Sequence, residues 1–223
     1  MRPILLIGTN FVRSQWLTLA VMTVYLAGMA VVFAHSPERQ ETRFFLQIHS
    51  FYLLFMAVVI TVPALQTERT SRRILAVLSK GIYRWQYLAG ILCGCGMILA
   101  VFCLLVGGLS WMLCVLGRTP TAGLAGLIMA LFAACLMSSA VGLFYSTFLH
   151  PLLATVATLV TLTLPFAMGI ANATLLAHNI GNLRAGIGSN AAVVSTGALA
   201  IAIAFWFAGA VVFARRDVSV SPE

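Results

Sequence analysis

Apolar residues fill six long stretches of this chain, and polar residues are confined mostly to what joins them. The stretches run from Trp16 to Ala34, Phe44 to Leu65, Ala89 to Leu116, Thr121 to Leu149, Pro151 to about Leu175, and Val193 to Ala214. A helix needs about 20 predominantly apolar residues to cross the hydrocarbon core of a bilayer. Each stretch therefore predicts one span. None shows the apolar–polar alternation in segments of roughly 10 residues that marks a membrane β-barrel strand. The pattern predicts an all-α, polytopic membrane protein with six transmembrane helices, forming one domain over residues 1–223. Pro165 and Gly169 interrupt the fifth stretch midway, which makes a buried, non-spanning segment its alternative.

Composition excludes a water-soluble fold. The chain is 61% hydrophobic and 8% charged, with a mean hydropathy of +1.04, whereas soluble domains are about a quarter charged. The net charge is +8, but the basic residues stand at the ends of spans, so topology accounts for them better than nucleic acid does. With the N-terminus inside, the inner basic residues are Arg2, Arg13, Arg69, Arg72, Arg73, Lys80, Arg84, Arg215 and Arg216. The outer ones are Arg39, Arg43, Arg118 and Arg184, so the split is nine against four. That bias predicts both termini in the cytoplasm. The first apolar stretch is too long, and begins too far along the chain, for a cleaved signal, so it reads as a retained helix. Residues Met1 to Gln15 before it predict a short helix lying in the interface. Leu176 to Ala192, mildly apolar and rich in turn formers, reads as re-entrant or interfacial.

The densest charge lies between the second and third spans. Residues 66–88 hold Arg69, Arg72, Arg73, Lys80 and Arg84, and Lys80 is the only lysine in the chain. At 100° per residue, Arg69, Arg73, Lys80 and Arg84 cluster opposite Ile74, Leu78, Ile82 and Trp85. An amphipathic cytoplasmic helix follows, with a bend or break at Gly81. A surface helix that only enforces topology would show the same pattern. Its length favours a docking role, since two helices can be joined by a handful of residues.

The order Glu68-Arg69, Leu75, Leu78-Ser79, Gly81, Arg84, Leu88 and Gly90 resembles the cytoplasmic segment of the ABC-2 type permease family, the membrane subunits of ABC exporters. Gly81 stands where that family carries proline, and Ile91 where it carries lysine. Six spans with both termini inside match the family along the whole chain. The resemblance implies a permease subunit of an ATP-driven exporter in a bacterial plasma membrane, working as a homodimer or heterodimer. It implies a separate ATPase subunit that holds ATP and Mg and grips residues 66–88 as a coupling helix. Glu68, Arg69, Arg72, Arg73, Lys80 and Arg84 would then be polar coupling residues, and Leu75 and Leu78 the apolar contact. The chain supplies no nucleotide site of its own, because a P-loop needs Gly-Lys-Ser/Thr and Lys80 lies between Ser79 and Gly81.

Chemistry inside the spans is sparse. No acidic residue falls in the middle of a span, whereas ion-coupled carriers place ionisable groups there. Gln47, His49, Thr155, Thr158 and Asn172 are the candidates for a substrate path along the second and fifth spans. Hydroxyls bonded to their own helix backbone explain the threonines equally well. Cys93, Cys95, Cys103, Cys114 and Cys135 all sit in apolar runs and read as small buried hydrophobes, with no metal-type spacing. No metal or cofactor is expected in this chain. Two other classes stay open: an intramembrane enzyme or cofactor-handling protein using His49, His150 or His178, and a membrane scaffold or assembly protein.

Overall fold

The structure is a computed structural model that describes residues 2–34, 39–70, 83–116, 121, 123–167 and 187–215. Among the described residues there are seven helices and no strand: α1 (Arg2–Ser14), α2 (Trp16–Ala34), α3 (Arg39–Thr70), α4 (Arg84–Leu116), α5 (Leu124–Ser146), α6 (Pro151–Ala167) and α7 (Ile187–Arg215). Five of them, α2, α3, α4, α5 and α7, are long and apolar enough to cross a membrane. The surface is that of a membrane protein: Val24, Leu104 and Leu152 are each more than 70% exposed. Water would penalise such a surface, whereas lipid tails accept it.

The expected span Trp16–Ala34 coincides with α2. The next two are shorter than the helices that contain them. α3 continues past Leu65 to Thr70, and α4 starts at Arg84 rather than Ala89. The 66–88 segment is therefore not one element. Gln66 to Thr70 extend α3, Arg84 to Leu88 open α4, and 71–82 lie outside the described residues. The start of α4 has a local cause. The Tyr83 N–H donates to Gln86 Oε1 at 3.3 Å, and the Tyr83 carbonyl accepts from the Gln86 and Tyr87 amides. A glutamine at the third helical position reaching back to the N-cap amide is one arm of a capping box.

The fifth expected span is described in part: α6 covers Pro151–Ala167, 17 residues. Residues 168–186, which include the rest of that span and most of the stretch expected to be re-entrant, lie outside the described residues. α5 begins at Leu124, where Gly123 adopts φ 87° as the N-cap. That left-handed backbone costs glycine nothing and would strain other residues.

α5 is the central helix. It packs along α7 and also against α3, α4 and α6, and 67% of it is buried against 11% of the α2 span. α1 and α2 form one seam. Gln15 interrupts them, yet its N–H bonds to the Phe11 carbonyl at 3.2 Å, and Leu19 N–H bonds back to Gln15 at 3.0 Å. Buried or half-buried positions continue through the break at Ile4, Gly8, Phe11, Gln15, Leu19, Met22, Leu26, Met29 and Phe33. Steps of three and four are those of a helix pair packed along its length. The N-terminal helix, expected to lie in the interface, docks along α4.

Candidate functional site

Of the residues expected to couple to a partner, Arg84 is the one whose side chain the structure places. It is the first residue of α4. Its Nη1 donates to the Phe213 carbonyl at 3.2 Å and to the Ala214 carbonyl at 3.3 Å. Both oxygens belong to the last turn of α7. A cation there also meets the negative end of the helix dipole. One turn further along α4, Leu88 packs beside Gly209 of α7: a Cβ on Gly209 would lie 3.6 Å from Leu88 Cδ2 and 3.5 Å from Phe144 Cα. The Phe144 ring of α5 meets Phe205 of α7 edge-on at 5.5 Å. The start of α4 and the ends of α5 and α7 thus interlock at one end of the bundle.

The end of α3 lies there too. Thr61 on α3 lies beside Cys95 on α4, so the antiparallel pair brings Thr70 toward the level of Arg84. Glu68 and Arg69 fall in the last turn of α3. Arg72, Arg73, Leu75, Leu78 and Lys80 lie outside the described residues.

The residues expected along a substrate path do not converge. Gln47 is exposed on α3. His49, fully buried, is held between α2 and α3. Its Nδ1 lies 2.8 Å from the Phe45 carbonyl, its ring stacks on Phe45 at 4.0 Å, and Tyr25 lies 5.9 Å away. A carbonyl only accepts, so Nδ1 carries the proton and Nε2 holds a lone pair. That Nε2 is buried and has no hydrogen-bond partner. Thr158, also fully buried, faces Gly142 of α5 and donates to its own helix at Ala154, 2.6 Å away. Thr155 donates likewise to Pro151 at 2.8 Å. The neighbourhood of Ala154 meets α3 at Val58 and Val62, roughly 14–20 Å along that helix from His49 at 1.5 Å per residue. Asn172 and His178 lie outside the described residues, and His150 is exposed just before α6. No group of three or more His, Cys, Asp or Glu side chains converges among the described residues.

Two further features escaped the sequence pattern. The Gly90 and Gly94 pair is occupied from within the chain: a Cβ on Gly94 would meet Phe11 as well as the Gly8 backbone, and one on Gly90 would meet Ile7 at 2.7 Å. Leu92, Leu136, Leu199, Ala202, Ile203 and Trp206 line an open apolar groove of about 260 Å³ between α4, α5 and α7. The indole nitrogen of Trp206 is buried without a partner.

No protein-family model, curated protein or solved structure matches the chain.

Proposed function

We propose that this chain is the membrane-spanning subunit of an ATP-driven ABC transporter of the ABC-2 type. It is an exporter that moves a hydrophobic or amphipathic substrate across a bacterial plasma membrane, with both termini in the cytoplasm and six spans. A separate ATPase subunit hydrolyses ATP with Mg, and a second permease copy or paralogue completes the assembly. Glu68, Arg69, Arg72, Arg73, Leu75, Leu78, Lys80 and Arg84 form the contact with the ATPase. Gln47, His49, Thr155, Thr158 and Asn172 contribute to the substrate path.

The observation that carries this reading is the basic stretch between α3 and α4, whose two ends emerge where the end of α7 gathers around Arg84. A charged connection at that position is suited to receiving work from a soluble partner, because the helices it joins enter the core directly. Co-purification tests the reading. A tagged full-length chain brings down a protein with a P-loop sequence and ATP hydrolysis, and reversing Arg69 and Arg73 to glutamate releases it. A chain that moves substrate with no ATPase attached overturns it.

A second reading is a cofactor-handling membrane protein, favoured by the buried Nε2 of His49, which has no hydrogen-bond partner among the described residues. It requires absorbance or bound metal that disappears when His49 alone is replaced.

A further inference from the structure

α1 runs parallel to α4. A Cβ on Gly90 would meet Ile7 and the Ile4 carbonyl, and one on Gly94 would meet Gly8 and Phe11. Gly94 is ten residues past Arg84. Arg13, two residues past Phe11, therefore stands roughly 18 Å beyond Arg84 at 1.5 Å per residue. The exposed Tyr83 and Trp85 mark an edge of the bilayer at the start of α4, as aromatic residues at a span boundary do. Counted from there, Arg13 lies well inside a hydrocarbon core about 30 Å thick. α7 gives the same level. It runs antiparallel to α4 through the Arg84–Ala214 and Leu88–Gly209 contacts, so Ile203, six residues before Gly209, lies near the level of Gly94. Ile203 and Phe207 are more than 60% exposed, as lipid-facing residues are.

α1 presents a different surface at that depth. Past the exposed Leu5 and Leu6, its open face turns polar at Thr9, Asn10, Arg13 and Ser14. Exposed apolar side chains take over from Trp16, with Leu17, Val21 and Val24 following. The pairing of a cation with an indole at a boundary, Arg84 with Trp85, thus recurs as Arg13 with Trp16. A cation held at depth is met by local thinning of the bilayer, which brings headgroups down to it. The Thr9 and Ser14 hydroxyls already donate to the Leu6 and Phe11 carbonyls at 3.1 and 2.7 Å. The remaining donors are the Arg13 guanidinium and the Asn10 amide, three residues apart and so neighbours on a helix surface. A guanidinium fork matches two oxygens of a phosphate. A second copy of the chain is the poorer occupant. An isologous contact would set Arg13 against the same face of its twin, and the sequence holds no acidic residue before Glu38.

We infer that the polar face of α1 indents the leaflet on the Arg84 side and seats there the phosphate of an anionic phospholipid, held by Arg13 and Asn10. The inference needs only the membrane-spanning fold and stands apart from the transporter reading.

Two measurements on the full-length chain test it, neither of which uses an ATPase. In nanodiscs of phosphatidylcholine and phosphatidylglycerol, the acyl chains carry bromine either near the glycerol or near the terminal methyl. Quenching of Trp16 is read as the fluorescence difference between the parent and Trp16→Phe. An indented leaflet puts Trp16 beside the glycerol end, so bromine there quenches it more strongly. Stronger quenching by bromine near the methyl overturns the inference, because Trp16 then lies deep in an even leaflet. Absence of quenching by either also overturns it, by showing that a second copy or water covers the face. In the second measurement, native mass spectrometry of the parent in detergent with both lipids is expected to retain phosphatidylglycerol in preference to phosphatidylcholine. Arg13→Gln lowers that occupancy by about fivefold, the contribution of one cation near anionic lipid. Arg13→Lys keeps most of it, and Arg215→Gln, at the exposed end of α7, leaves it unchanged. Parent-like occupancy in Arg13→Gln overturns the inference, as does an equal loss in Arg215→Gln, which would make net charge the cause. If Arg13→Gln does not purify, the Trp16 measurement decides alone.

Discussion

A Cβ placed on Gly94 would lie 2.9 Å from the carbonyl oxygen of Gly8. The two residues are 86 positions apart in the sequence, and their backbones touch because neither has a side chain. Gly8 is equally constrained, since its own Cβ would meet Gly90 O and Gly94 N at 3.2 Å. The contact is backbone on backbone, so no rotamer change relieves it.

Gly94→Ala is accordingly expected to push α1 off α4 and to destabilise the chain by about 1–3 kcal/mol, the usual range for overpacking. Gly108 lies on the same helix with nothing within 4 Å of its Cβ position. Gly108→Ala should be neutral or stabilising by up to about 1 kcal/mol, as alanine is the better helix former. Thermal unfolding in detergent separates the two. Equal effects at the two sites would show that α1 does not dock there.

The docking of α1 on Gly90 and Gly94 could not be read from their spacing, since G-x-x-x-G serves contacts within a chain and between chains alike. Hydropathy was more reliable for spans than for helices. It placed α2 to the residue because polar neighbours bound that run at both ends. It cut α3 and α4 short because Gln66, Thr67, Arg84 and Gln86 are polar yet continue the helix. The fifth stretch is placed only in part: α6 covers Pro151–Ala167, and 168–175 lie outside the described residues. At the candidate site, Arg84 was legible as a charge at a span boundary. Its carbonyl partners near residue 214 were not, because backbone acceptors leave no mark in a sequence.

His49 is expected to be dispensable for folding if an aromatic ring replaces it. The imidazole donates one bond to its own helix carbonyl and leaves Nε2 buried and unpaired among the described residues, a cost of about 1–3 kcal/mol. His49→Phe keeps the stack on Phe45 and removes that cost, so it should match or exceed the parent in thermal stability. His49→Ala opens a cavity and should lose about 3 kcal/mol or more. If His49→Phe is stable but abolishes a bound chromophore or metal, the cofactor reading gains over the transporter.

Cys103 on α4 and Cys135 on α5 are close neighbours, buried where the two helices pack. A membrane-permeant oxidant is expected to join them in the intact chain, leaving Cys93, which is half-buried, unpaired with either. Intact-mass and fragment analysis reads the cross-link directly. Pairing of Cys93 in preference to Cys135 would refute the packing of α4 on α5.

Thr155 and Thr158 pose the sharpest test of the substrate path. Each hydroxyl donates to a carbonyl four residues back in its own helix, and that carbonyl still has a backbone amide to accept from after the hydroxyl is removed. Thr155→Val and Thr158→Val should each change stability by less than about 1 kcal/mol, with Thr158→Val the more sensitive because it is packed against Gly142. If the threonines only satisfy their own backbone, ATP-driven substrate movement in reconstituted vesicles stays within about twofold, a change of under 1 kcal/mol. A tenfold loss of transport in Thr155→Val with unchanged unfolding temperature would instead place that half-buried hydroxyl against the substrate, and would identify α6 as a wall of its path.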